Sequence, residues 1–228
     1  MEYFEDYGEL NENTLKYFMK AKEFNIKNST YYLGLSYYWL DDFQNAELYL
    51  LESLEDERYD HENKLNVYYR LAENYRFWGY EKSKKHEDAL FYYNKIINNN
   101  HNKSLLEEIK VLRSYSAVGL ITNNFLNDKN LALAIYKNGL DFHKHNLDNY
   151  EDLDEANIIL SLMYYNMGVI FEEKNENMKA VNYYDLSINS HPETSSAYNN
   201  LSVIYEFGSD GVRQNFKKSF DILYKGYQ

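Results

Sequence analysis

The residues of this chain that could carry catalysis are few and poorly spaced for it. His143 and His145 stand two apart in the run HKH. On a helix such neighbours diverge, whereas a shared metal needs ligands on one face, as at a spacing of four. Their better use is as cations near a helix C-terminus. Asp41-Asp42 and Glu172-Glu173 are adjacent carboxylates, but adjacent side chains point different ways, and solvated surface is the better reading. No glycine-rich phosphate loop, nucleophile elbow or HExxH motif occurs. The expectation is no catalytic residue, no metal and no cofactor, hence no enzyme. The chemistry left is recognition. Twenty-six Tyr and two Trp offer large rings with polar ends, the residue types that dominate binding hot spots.

Composition bounds the fold that must position those rings. The 228 residues hold 26% charged and 44% hydrophobic residues, ordinary for a folded chain. The mean hydropathy of -0.71 looks polar only because tyrosine counts as polar, and 18% aromatic content is too much buriable ring for disorder. One proline and nine glycines suit helices joined by short turns. A net charge of -12 argues against nucleic acid, which is bound through Lys and Arg, and against anionic membranes. The chain has no cysteine, so disulfides and thiolate metal sites are excluded. The acidic N-terminal stretch MEYFEDYGELNEN has no apolar core of a signal peptide, and no apolar run approaches the ~20 residues that span a bilayer. A cytoplasmic location is expected.

The chain repeats itself. The clearest unit is Tyr164 to Pro192, YYNMGVIFEEKNENMKAVNYYDLSINSHP. Tyr164, Met167, Gly168 and Phe171 make one helical stripe; Lys174 to Asn177 is a polar turn; Ala180, Tyr184 and Ser187 make a second stripe that Pro192 stops. Small residues are needed where two antiparallel helices approach closely, so Gly168 and Ala180 belong at the crossing, with Tyr164, Phe171 and Tyr184 around it. The spacing recurs four times. Leu33, Gly34 and Tyr37 lead to Ala46, Leu50 and Ser53; Tyr68, Leu71, Ala72 and Tyr75 lead to Ala89, Tyr93 and Ile96. Tyr115, Val118 and Gly119 lead to Ala132, Tyr136 and Gly139; Tyr198, Leu201, Ser202 and Tyr205 lead to Ser219, Leu223 and Gly226. Thr14, Phe18 and Ala21 read as a lone second helix ahead of them.

This pattern resembles the tetratricopeptide repeat, W-x2-L-G-x2-Y, A-x3-F, then P. The last unit has a longer turn with Gly208 and Gly211 before a Lys-Lys-Ser helix, and looks like the Sel1-like variant. The resemblance implies an all-α fold: a right-handed α-solenoid of about five hairpins plus a leading helix, one repeat domain over 1–228. The hairpins are expected near 28–58, 64–98, 104–143, 154–191 and 194–228. Gly34, Ala72, Gly119, Gly168 and Ser202 follow one another at 38, 47, 49 and 34 residues. The excess over a regular repeat falls in Gly79–Glu87, Asn98–Ser104 and Asn146–Asp154. Ser104-Leu-Leu-Glu107 reads as a capping box.

In that family the first helices of successive hairpins line a concave groove that holds a partner. The residues offset from the core stripe are then the candidate binding set. They are Tyr31, Leu35, Tyr38 and Trp39 in the first hairpin, and Asn66, Tyr69, Glu73, Arg76 and Phe77 in the second. The third contributes Arg113, Ser116, Leu120 and Asn123; the fourth Tyr165, Val169 and Glu172; the fifth Asn199, Val203 and Glu206. Asn can pair with a peptide backbone, and Arg76 and Arg113 can grip a carboxylate. The Lys and Asn clamp of one family subset is not matched at Tyr31, Leu35, Tyr69, Glu73, Ser116 and Leu120. The expected function is a protein- or peptide-binding adaptor. The alternatives are a peptide-sensing regulator, against which the 27 residues ahead of the first hairpin count as too few for an effector domain, and a self-associating structural protein. The last helix keeps Phe220, Leu223, Tyr224 and Tyr227, so a homodimer through an exposed end is a further expectation. The acidic run Glu52 to Asp60 reads as solvated surface that a basic partner could use.

Overall fold

The computed structural model describes residues 12–79, 85–99, 104–146, 153–209 and 211–227. The regular elements among them are eleven α-helices. The chain divides into two compact units, Met1–His101 and Asn102–Gln228. In the first, a leading helix α1 (Glu12–Glu23) packs on α2 (Ser29–Trp39), α2 pairs with α3 (Phe43–Leu54), and α4 (His61–Gly79) pairs with α5 (Lys85–Ile97). Helix α4 also rests on α3 and touches α2. In the second, α6 (Leu105–Asn124) pairs with α7 (Lys129–Asn146), α8 (Asp154–Glu173) with α9 (Asn177–Ser190), and α10 (Ser195–Phe207) with α11 (Phe216–Gly226). Helix α8 leans on both α6 and α7, and α10 on α9. This is the all-α hairpin stacking expected from the repeat. Among the described residues no helix is long and apolar enough to cross a membrane. The acidic stretch at 1–11 and most of the expected insertions, at 80–84, 100–103 and 147–152, lie outside the described residues.

Helix boundaries follow local chemistry. The nine glycines are too few for every turn, and asparagine stands in. Asn25, Asn28, Asp41, Asn127 and Asn175 all take positive φ, between 52 and 68°, which Asn and Asp tolerate better than other non-glycine residues. Asp42 caps α3 by accepting from the Asn45 amide at 3.1 Å. Ser104 and Glu107 form the expected capping box, with Ser104 N–H donating to Glu107 Oε2 at 2.7 Å. Helix α9 stops at Ser190, two residues before Pro192. Gly208 and Gly211 adopt φ of 65 and 82° in the longer last turn, where Ser209 and Val212 form an isolated bridge and Asn215 caps α11.

The pairing distance is set by rings pressed on bare backbone. A Cβ on Gly168 would lie 2.6 Å from the ring of Tyr184, and one on Gly119 would lie 2.5 Å from the ring of Tyr136. At Gly34 the partner is Leu50, at 2.9 Å. The glycine of each first helix therefore faces the residue four positions beyond the alanine of the second, rather than the alanine itself. Ala46, Ala89, Ala132 and Ala180 are all fully buried alongside. Hydroxyls close the α8–α9 seam, where Ser161 Oγ donates to Ser187 O and Ser187 Oγ to Ser161 O, both at 2.9 Å. Substituting Gly168 by Val should lower unfolding free energy by about 1–3 kcal/mol, because overpacking outweighs the ~1 kcal/mol or less by which a side chain improves on glycine in a helix. Urea denaturation measures it, and an unchanged midpoint would remove the ring-on-glycine contact as the spacing device.

His86, in the first turn of α5, sets its ring against Gly79, where a Cβ would sit 2.0 Å from Nδ1. It is buried, and that burial holds its pKa below the ordinary 6.5. A histidine depressed in the folded state leaves stability untouched where both states are neutral. As pH falls below the unfolded value near 6.5, the unfolded chain binds the proton that the folded one refuses, and stability drops. The melting temperature should therefore fall more between pH 7.5 and pH 5.5 for the natural chain than for His86→Gln.

Candidate binding surface

In the first unit the core stripes of α2 and α4 are buried through Leu33, Gly34, Leu71 and Ala72. The face offset from them brings the candidate residues together. Trp39 is 48% exposed and Phe77 37%, while Tyr38 is buried at 7%. The Tyr38 ring lies 5.1 Å from Trp39 and 6.2 Å from Phe77, so the C-terminal ends of α2 and α4 share one aromatic patch. Arg76 spreads over Phe77, 4.2 Å from the ring centroid, and donates to Glu73 at 2.9 and 3.3 Å. Tyr93 of α5 donates to the same carboxylate through a short hydrogen bond. Burial, and then the Glu73 charge, hold the Tyr93 hydroxyl well above its usual pKa, which keeps it a donor. Arg76 therefore already holds a carboxylate of its own chain.

Arg70 was not among the residues read from the sequence, yet it is central here. Its guanidinium lies 5.6 Å from the Tyr69 ring and 5.9 Å from the Trp39 ring. It also stands beside the Tyr31 hydroxyl, where it opposes the rise in pKa that burial gives that phenol. No carboxylate of the described residues pairs with it. Tyr69 itself is buried at 8%, so its edge is wall and its body is packing. Leu35 and Asn66 are half-buried on the same two helices.

The second unit disperses its candidates. Arg113 pairs with Glu155 of α8 at 2.8 Å, both side chains 46% exposed. Asn123 donates to its neighbour Asn124 at 2.9 Å. Ser116, Leu120, Val169 and Glu206 are half-buried, and Asn199 and Val203 exposed. Tyr165 packs 5.9 Å from Tyr184. Glu172 departs from the solvated reading of the Glu-Glu pair. It accepts from the Tyr184 hydroxyl at 2.6 Å, and that hydroxyl accepts from Asn200 at 3.0 Å, tying α8, α9 and α10 at one point. Burial and the bond to Glu172 raise the Tyr184 pKa.

Elsewhere the polar groups are local. Asp41 and Asp42 lie in the α2–α3 turn. The acidic run 52–60 is partly used internally: Glu52 pairs with Lys22 at 2.8 Å, Arg58 bridges Asp56 to the Asn25 carbonyl, and Tyr59 is buried. His145 Nδ1 meets the Asp141 carbonyl at 2.6 Å. No group of three or more His, Asp or Glu able to hold a metal occurs among the described residues.

No family model matches the chain. Over 71 residues it is 35% identical to the Photosystem I assembly protein Ycf3 of Rippkaea orientalis (strain PCC 8801 / RF-1), a stretch covering 30% of this chain and 41% of that protein. The chain thus spans less than half of that relative's length.

The three-way junction at Tyr184 gives a sharp expectation. In a double-mutant cycle, Tyr184→Phe and Glu172→Gln should couple by about 1–2 kcal/mol in urea denaturation. Additive effects would mean the bond contributes nothing.

Proposed function

We propose that the chain is a binding module of tetratricopeptide type, an adaptor or assembly aid whose first-helix faces hold an extended or helical segment of another protein, without catalysis. One observation carries the reading. The α2–α4 face keeps Trp39 and Phe77 open to solvent at 48 and 37%, while the charges around Phe77 are neutralised within the chain by Glu73 and Arg76. Large exposed rings backed by a satisfied polar network cost little to desolvate and bury much area on binding. The partial likeness to an assembly protein points the same way, toward protein partners. In the last hairpin, the positive φ of Gly208 and Gly211 supports the Sel1-like reading of the longer turn.

A second reading, self-association, is favoured by α11. Phe216, Phe220, Tyr224 and Tyr227 fall at spacings of four, four and three, and are 65, 67, 59 and 83% exposed. Val181 of α9 occupies the position matching Phe220 and is buried at 7% beside Ala197 and Leu201 of α10.

Peptides selected from a random display library on the intact chain test the first reading. Trp39→Ala and Phe77→Ala should each weaken the selected peptides about tenfold or more while leaving the melting temperature within a few degrees. Peptides that bind both variants as well as the natural chain would place binding elsewhere. Light scattering tests the second: a mass that rises with concentration and becomes monomeric in Phe220→Asp supports self-association, and a constant monomer mass ends it.

A further inference from the structure

The aromatic patch on α2 and α4 also holds a charge whose neighbours are unusual. Arg70 is half-buried, 5.9 and 5.6 Å from the ring centroids of Trp39 and Tyr69 and next to the Tyr31 hydroxyl. A guanidinium has five N–H donors in a planar fork. Removing it from water is costly unless something returns that hydration. Ring faces return part of it, because their quadrupole attracts a cation. They accept few of the N–H bonds, and no described carboxylate pairs with Arg70.

The other arginine of the same helix face is in the opposite state. Arg76 is held twice by Glu73, and Glu73 is held again by Tyr93. Glu73 is three residues from both arginines, but its carboxylate is committed to Arg76. Counting Arg70, Glu73 and Arg76 together leaves this face with one uncompensated positive charge, on a chain whose net charge is -12. A local cation inside an acidic protein selects an anionic group.

We propose that Arg70 is the anchor for an acidic side chain, Asp or Glu, in the bound segment. Trp39 and Tyr69 act as the walls, and Tyr31 as a second donor to the same carboxylate. The proposal rests on the binding reading above and sharpens it from any protein segment to one carrying a carboxylate beside a large apolar residue. That apolar residue lies on the Trp39 and Phe77 rings. The fork pairs with the carboxylate through two parallel N–H···O bonds, in surroundings drier than bulk water, where such a pair is screened less than on an open surface.

The test uses two fluorescein-labelled decapeptide pools on the intact chain, followed by fluorescence anisotropy. Both fix one Trp; one pool fixes Glu next to it and the other Gln. The Glu pool should bind the natural chain about tenfold tighter than the Gln pool. In Arg70→Gln, which removes the charge and the fork but keeps an unbranched polar side chain, the ratio between the two pools should fall to about one, and a preference that persists there overturns the anchor. Arg70→Lys, with a charge and no fork, should keep part of it. Equal binding of the two pools to the natural chain overturns the anchor and leaves the binding reading standing. Failure of both pools to bind at about millimolar peptide overturns the binding reading and the anchor with it. The comparison on the natural chain decides the matter even if Arg70→Gln were to fold poorly.

Discussion

A ring laid across a naked stretch of helix backbone is the contact on which the rest of this molecule depends. In α6–α7 and α8–α9 it is a tyrosine on a glycine, Tyr136 on Gly119 and Tyr184 on Gly168. In α2–α3 a leucine takes the place of the ring. In α4–α5 Ala72 stands where the others have glycine, and Tyr93 is still fully buried. The arrangement solves two problems together. Missing side chains let the helices of a pair come close, and the ring fills the gap at interior density, where voids and overlaps both cost stability. Because each hairpin buries only one side against itself, the other side is completed by the neighbour, as α8 does on α7 and α10 on α9.

Using tyrosine there, where the repeat pattern has phenylalanine, has a consequence for the open face. A buried phenol needs a partner for its hydroxyl. Tyr93 finds Glu73 on α4, and Tyr184 finds Glu172 on α8. Both carboxylates belong to the candidate set that the resemblance to the tetratricopeptide repeat implies for binding. In these two hairpins the core thus reaches through and fixes an acidic side chain of the first helix, and in the first unit that acid in turn fixes Arg76. Candidate binding groups are therefore held by core packing rather than left as loose surface chains, which lowers the ordering cost of binding.

How much of this was legible follows from what each feature depends on. Helix pairing was legible because it needs only residue size at fixed spacing, and Gly34, Gly119, Gly168 and the four alanines declare it. The Ser104–Glu107 box and the Gly208–Gly211 turn were legible for the same reason: a cap or a positive φ is a local demand on a few residues. The burial of Tyr38 and Tyr69 was not, since a tyrosine offset from the core stripe reads the same whether a neighbouring helix covers it or not. Nor was the internal use of Arg113, whose partner Glu155 lies 42 residues on and meets it only when α8 leans on α6.

Arg70 and Arg76 show where composition stops and geometry begins. By type the two are identical, and Glu73 lies equidistant from both along the helix. The order decides between them. An acid placed N-terminal to its cation is the more favourable arrangement on a helix, and a cation toward the C-terminal end also complements the helix dipole, so Glu73 turns to Arg76. Tyr93, arriving from α5, then holds the carboxylate in that choice. The arginine that looked most available for a ligand is thereby consumed. The one passed over keeps its charge among the rings of Trp39 and Tyr69, where pairing it would gain most. A charge available for recognition is identified by the partners its helix denies it, and those are visible only once the neighbouring helix is in place.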